Sequence, residues 1–138
     1  IHGDAVIARA AALWDIAAPS AKQRAAVVQA LRLAKELSGL MQEGGFWRAE
    51  EAVITVRDRS GLDEPWRAPP WVAPAELRAA LLASLSAGGG AVAREAAVAG
   101  AARLLGLGAA GHGALAAQLA LLEGEGRVRE AAGLVSAA

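Results

Sequence analysis

The sequence predicts a mainly α protein with small β-hairpins, built as two tandem copies of one unit. Three features carry that prediction: apolar positions that recur at a constant offset, a break between two helices that recurs with them, and a glycine placed before each closing apolar pair. Residues 5–47 read AVIARAAALWDIAAPSAKQRAAVVQALRLAKELSGLMQEGGFW, and residues 92–135 read VAREAAVAGAARLLGLGAAGHGALAAQLALLEGEGRVREAAGLV. Trp14 and Ile16 fall on Leu105 and Leu107, and Val28 and Leu31 fall on Leu119 and Leu122, all displaced by 91 positions. After a three-residue deletion, Leu40, Gly45, Phe46 and Trp47 fall on Val128, Gly133, Leu134 and Val135, displaced by 88. Such ordered recurrence is the mark of a repeated supersecondary unit.

The elements follow in order. Residues 1–3 are short enough for an edge strand or a loop. Asp4 is placed to cap a helix over 5–15, in which Val6, Ala10, Leu13 and Trp14 stand near helical spacing. Pro19 closes that region, Ser20 caps a longer helix over 21–37, and Gly39 stops it. Residues 40–43, the pair Gly44 and Gly45, and residues 46–48 read as a hairpin. Helix, turn, longer helix and hairpin is the order of a winged helix, a helix-turn-helix whose hairpin forms a wing. The first copy lacks the helix that usually opens such a unit, as a boundary drawn too late would leave it. Residues 52–57 (AVITVR) are β-branched enough for a further strand. Between 60 and 73, Pro65, Pro69 and Pro70 alternate with Trp66 and Trp71, which predicts a stiff, extended linker with docked indoles. Pro74 suits the first position of a helix over 75–85, with Glu76 in its first turn. Gly88 to Gly90 break it, helices follow over about 91–105 and 112–123, and a hairpin of 127–130 with 133–135 ends the chain. The expected organisation is a first winged-helix-like unit over 1–60, a Pro/Trp linker over 61–73 and a second unit over 74–138.

IHGDAV at residues 1–6, VRDRS at 56–60 and PAELRAALLA at 74–83 carry a resemblance. With its two-part layout, the chain resembles a domain of unknown function found toward the C-terminal end of large bacterial proteins described as DNA-helicase-related. The resemblance implies an accessory module attached to a helicase- and nuclease-like machine, with the other domains of that parent protein as partners. It brings no catalytic residues with it.

Composition narrows the function classes. Hydrophobic residues make up 55% of the chain, but many are Ala, which adds helix propensity and little buried area. The cores are therefore expected to rest on Trp14, Ile16, Val27, Leu31, Leu37, Leu40, Phe46 and Trp47 in the first copy, and on Leu81, Leu82, Leu104, Leu105, Leu119 and Leu122 in the second. Fourteen basic residues balance fourteen acidic ones, so any attraction to nucleic acid must come from a local patch. The chain has no Cys, which excludes thiolate metal sites and fits a reducing, cytoplasmic setting. No apolar run is long enough to span a bilayer.

The local patch is on the helix over 21–37. Lys22, Ala25, Gln29 and Arg32 form a stripe opposite the apolar cluster of Val27, Ala30, Leu31 and Ala34. In a helix-turn-helix the second helix presents such a stripe to the major groove, where Arg, Lys and Gln read guanine and adenine edges. On this reading Lys22, Gln29 and Arg32 face DNA, and Arg24, Lys35 and Arg48 contact phosphates. The other reading is a solvated or protein-binding face, since an outward helix face is polar in any case and the wing sets Arg48 among Glu43, Glu50 and Glu51. The second copy serves as a control. Gly113, Ala116, Ala120 and Glu123 stand at the stripe positions and offer no cation, so that helix is not expected to read DNA.

The remaining motifs weigh against catalysis. Arg57 and Arg59 suit either a phosphate backbone or an ion-pair network with Asp58 between them. Trp66 and Trp71 suit stacking on single-stranded bases or, more in keeping with their prolines, packing as linker anchors. Residues 106–111 match G-x-G-x-x-G, but a helical segment precedes them, and a turn between two helices explains the spacing better than a dinucleotide site. Lys22 and Lys35 are the only lysines, and neither belongs to a P-loop. His2 and His112 have no ligand partners at metal-site spacing, and no Ser, His and acid grouping suggests acyl transfer. The expectation is a non-catalytic module without cofactor, metal, membrane or small-molecule ligand. DNA or another protein is its partner.

Overall fold

Ser20 and Gln23 start the longest helix by a reciprocal capping box. The Ser20 hydroxyl accepts from the Gln23 N–H, and the Gln23 side chain accepts from the Ser20 N–H at 2.8 Å. In the computed structural model, which describes residues 1–138, this helix is α2 (Ala21–Ser38), and α1 (Gly3–Ala12) precedes it. The hairpin of β1 (Leu40–Glu43) and β2 (Phe46–Ala49) follows, in the register Leu40 to Ala49 and Gln42 to Trp47. His2 bridges Phe46, so the chain before α1 adds a third, minimal strand beside β2. Its Nδ1 also accepts from the Asp4 N–H, which makes His2 rather than Asp4 the cap of α1.

The later elements are α3 (Pro74–Ala87), β3 (Ala91–Ala93), α4 (Arg94–Leu104), α5 (His112–Gly124), β4 (Val128–Ala131) and β5 (Leu134–Ala137). The protein is thus mainly α, with two small antiparallel sheets, the second in the order β3-β5-β4. The repeat is visible element by element. Moving α1 by 91 positions gives the start of α4 at Arg94, and moving α2 gives the start of α5 at His112. Moving β1 and β2 by 88 gives β4 and β5 at both ends. The His2 to Phe46 bridge becomes Ala93 to Leu134, and the left-handed Asp15 becomes the left-handed Gly106.

The chain divides into two compact units, Ile1–Val53 and Ile54–Ala138. In the second, α3 buries Leu77, Ala80, Leu81, Ser84 and Leu85 at helical spacing. Of these, Leu77, Ala80, Leu81 and Leu85 join Ala97, Ala101 and Leu105 from α4 and its end, Leu115, Leu119 and Leu122 from α5, and Val128 and Val135 from the sheet in one cluster. A Cβ built on Gly100 would lie 3.3 Å from the Ser84 Cβ, so α3 and α4 cross with their backbones close together. In the first unit the buried apolar residues are Ile7, Ala11 and Trp47, and α2 buries none. No element there stands where α3 stands in the second unit.

Several sequence expectations are corrected. Residues 52–57 form no strand: the Arg57 N–H, which a neighbouring strand would have taken, donates to the Glu76 carboxylate at 3.0 Å. The boundary falls after Val53 rather than after residue 60, because Arg59 is buried against Glu76 of the second unit. Residues 61–73 are a series of turns with a 3-10 turn at Pro69–Trp71, not an extended linker. Trp66 meets Trp71 edge-on at 4.6 Å between ring centroids and stays 44% exposed. A three-residue strand, β3, replaces the first turn of the helix expected from 91. Trp14, Leu37 and Leu104, expected in the cores, are 70%, 84% and 43% exposed.

Candidate nucleic-acid interface

At about 100° per residue, Lys22, Ala25, Gln29 and Arg32 lie within an arc of about 80° on α2, spread along about 15 Å of axis. All four are exposed. The half-buried residues of α2 are Val27, Leu31 and Ala34, on the far side of the helix, and Val28, nearer to Arg32. Helical geometry therefore brings Lys22, Gln29 and Arg32 onto one outward face. It does not bring Arg24 and Lys35 there: both lie about 200–220° round from Lys22, on the side of Val28 and Leu31. They remain exposed, as ends of a helix in a thinly covered unit. Arg48 is half-buried on β2, and its guanidinium donates to the carbonyls of Ala49 at 3.2 Å and Glu50 at 3.1 Å. Through Nη1 it closes its own hairpin end.

Lys22, Arg24, Arg32 and Lys35 make no ion pair. No carboxylate has to be displaced before they meet an anion. The same face carries an apolar residue that the charge pattern concealed, Leu33, which is 47% exposed, and Leu37 beside it is 84% exposed.

The second unit differs in charge as well as in residue type. Glu123, at the place of Arg32, pairs with Arg94, which also reaches Glu130 at 2.6 Å. The hydrogen bonds that Arg94 donates to these two carboxylates hold its pKa above its ordinary value. On α5, Gly113, Ala116 and Ala120 are exposed and uncharged.

The VRDRS segment proves to be structural. Arg59 Nη1 and Nη2 donate to the two Glu76 carboxylate oxygens at 2.8 and 2.7 Å, a buried bidentate pair. Asp58 is not their partner. It accepts from the Ser60 N–H at 2.8 Å and the Ser60 hydroxyl at 3.0 Å, and these bonds lower its pKa. Arg59 is unavailable to a phosphate, while Arg57 stays largely exposed beside Glu76. Residues 106–111 form the turn and 3-10 segment between α4 and α5. No cluster of three His, Cys, Asp or Glu side chains is placed to hold a metal. No single helix is long and apolar enough to cross a membrane. No family model, curated protein or solved structure matches this chain.

Proposed function

We propose that this chain is a non-catalytic, cytoplasmic nucleic-acid-binding module of a DNA-helicase-related protein, made of two tandem winged-helix-like units. The observation that carries the reading is the exposed, ion-pair-free face of α2, where Lys22, Gln29 and Arg32 stand together on the second helix of a helix-turn-helix-hairpin arrangement. Lys22 and Arg32 supply charge for phosphates or guanine edges, and Gln29 suits an adenine edge. Arg24 and Lys35 flank that face and extend its positive field rather than share its contacts. The helix order and the sheet order β3-β5-β4 support the winged-helix reading of the second unit. That unit brings no cation to its matching face and serves as scaffold.

A second reading, a protein-docking module without DNA contact, is favoured by Leu33 and Leu37, which interrupt and border the polar face. One comparison separates the two. Fluorescence anisotropy of labelled duplex DNA is expected to show binding that weakens at least tenfold in Lys22→Glu/Arg32→Glu, with the helical content of the variant unchanged. Arg129→Glu, on β4 of the second unit, is expected to bind like the wild type. Equal affinity of the Lys22/Arg32 variant and the wild type removes α2 as the DNA-reading element.

A further inference from the structure

Two stretches that the α2 reading leaves unused meet in the second unit. The Arg59 N–H donates to the Leu105 carbonyl at 3.0 Å, which ties the chain before residue 60 to the end of α4. The turns that follow close on their own backbone, with the Trp66 N–H on the Asp63 carbonyl at 3.0 Å and the Ala68 N–H on the Pro65 carbonyl at 2.9 Å. They share a cavity of about 310 Å³ with the glycine-rich turn after α4. Glu64, Arg67 and Pro69 line it from the first stretch, and Gly106, Leu107 and Gly108 from the second. Its volume lies at the lower end of the range that holds small ligands, roughly 300–1,000 Å³.

The two charged groups of this cavity have hydrogen-bonding capacity to spare. Arg67 Nε stands 3.5 Å from Glu64 Oε1, an ion pair in which neither side chain makes a hydrogen bond. The guanidinium keeps its five N–H donors and the carboxylate both of its oxygens. Because the two charges cancel, a bare anion gains at Arg67 what it loses at Glu64. The complement of the pair is an uncharged edge on which acceptors stand beside donors. Guanine has that edge: O6 and N7 accept from an arginine fork, while N1–H and the N2 amino group donate to both oxygens of a carboxylate. Adenine and cytosine offer the carboxylate a single amino group. Pro69 and Leu107 are apolar, and a Cβ built on Gly108 meets nothing within 4 Å, so a flat ring has room beside that backbone. Trp66, on the same turn and 44% exposed, offers an indole on which a neighbouring base can stack.

We propose that this cavity binds a guanine base, with Arg67 on O6 and N7 and Glu64 on N1 and N2. The base belongs to a free nucleotide or to an unpaired stretch of a nucleic-acid strand, and its edge is the same in both. The site lies wholly in the second unit and does not depend on the reading of α2.

The test uses the full chain with two probes, GMP by titration calorimetry and a labelled single-stranded oligothymidylate carrying one guanosine by anisotropy. Saturable binding is expected, about tenfold weaker for AMP and for the strand with adenosine in that place. Glu64→Gln puts an amide donor where one acceptor oxygen stood. It is expected to lower GMP affinity about tenfold and to raise the affinity for xanthosine monophosphate, whose C2 carbonyl accepts where guanine donates. Loss of folding cannot produce that reversal. Arg67→Met is expected to weaken binding of both nucleotides, and Lys22→Glu/Arg32→Glu to leave GMP binding unchanged, which separates this site from α2. A strand that binds more tightly than GMP and loses that margin with Trp66→Ala identifies the ligand as a strand, and equal affinities identify it as a free nucleotide. No binding of either probe at about 1 mM, equal affinity for adenine, or binding indifferent to both Glu64→Gln and Arg67→Met overturns the proposal.

Discussion

Replacing Glu76 by alanine is expected to destabilise the second unit by about 3–5 kcal/mol, the usual cost of leaving one member of a buried ion pair alone. The carboxylate accepts both Arg59 guanidinium hydrogens and the Arg57 N–H, so its removal strands a buried charge and a backbone donor together. Hydrogen exchange of the α3 and α4 amides measures the loss in this unit alone. Arg59→Met with Glu76→Leu removes both charges and is expected to recover most of the stability, because a buried pair gains little over well-packed apolar residues. A cost below about 1 kcal/mol for Glu76→Ala contradicts a structural role for the 56–60 segment.

The same pair sets an acid dependence. Burial pushes the Glu76 carboxyl up, but the hydrogen bonds and charge of Arg59 and the Arg57 N–H outweigh it, and the net shift is downward. A group with a lowered folded pKa contributes stability that is present above its unfolded value, about 4.3 for Glu, and that is lost as the pH falls through the folded value. The wild type is therefore expected to lose second-unit stability below about pH 4. Glu76→Gln, already weaker at neutral pH, is expected to show a flatter acid profile.

Gly106→Ala is expected to be the next most damaging change. Gly106 has φ +66°, and a Cβ there would lie 3.0 Å from the Arg59 backbone nitrogen, which itself donates to the Leu105 carbonyl at 3.0 Å. The substitution adds left-handed strain, about 1–2 kcal/mol, to a steric push against backbone, about 1–3 kcal/mol, and it moves the segment that carries Arg59. The repeat provides the contrast. Asp15 occupies the matching place with φ +53°, and Asp tolerates that conformation better than most side chains. A Gly106→Ala protein that matches the wild type in urea unfolding shows that the turn has room for a Cβ and contradicts the expectation.

How much of this was legible in the sequence depends on whether the deciding physics was local. Ser20, Gly39, the Gly44 and Gly45 turn and Pro74 act on the backbone within a few residues, and the ends they set were readable. The repeat offsets place α1, α2, β1 and β2 on α4, α5, β4 and β5. β3 was missed because three residues of which only Val92 is β-branched carry no periodic signal, and the strand exists by pairing with β5 far along the chain. The one clue to it was the match of Ala93 to His2. AVITVR misled because β-branched composition predicts a strand only where a neighbour accepts its N–H groups, and Glu76 took that of Arg57.

The candidate interface was legible as a face and not as a set. The helical period placed Lys22, Gln29 and Arg32 together, and applied strictly it also separates Arg24 and Lys35 from them. The engagement of Arg48 with the Ala49 and Glu50 carbonyls depends on hairpin geometry that no spacing reveals. Trp14 was expected inside because it is large and matches Leu105. It is exposed because burial needs a covering helix, and the first unit has none over α1 and α2.

Whether α2 binds nucleic acid is decided by the affinity of the wild-type chain for labelled duplex DNA as salt is raised. If Lys22 and Arg32 meet phosphates, with Arg24 and Lys35 adding to the field, the logarithm of the affinity is expected to fall linearly with the logarithm of salt, with a slope of about −2 to −4. An affinity that salt does not change, or no saturable binding at about 50 mM salt, contradicts the assignment of α2 as a nucleic-acid-binding helix.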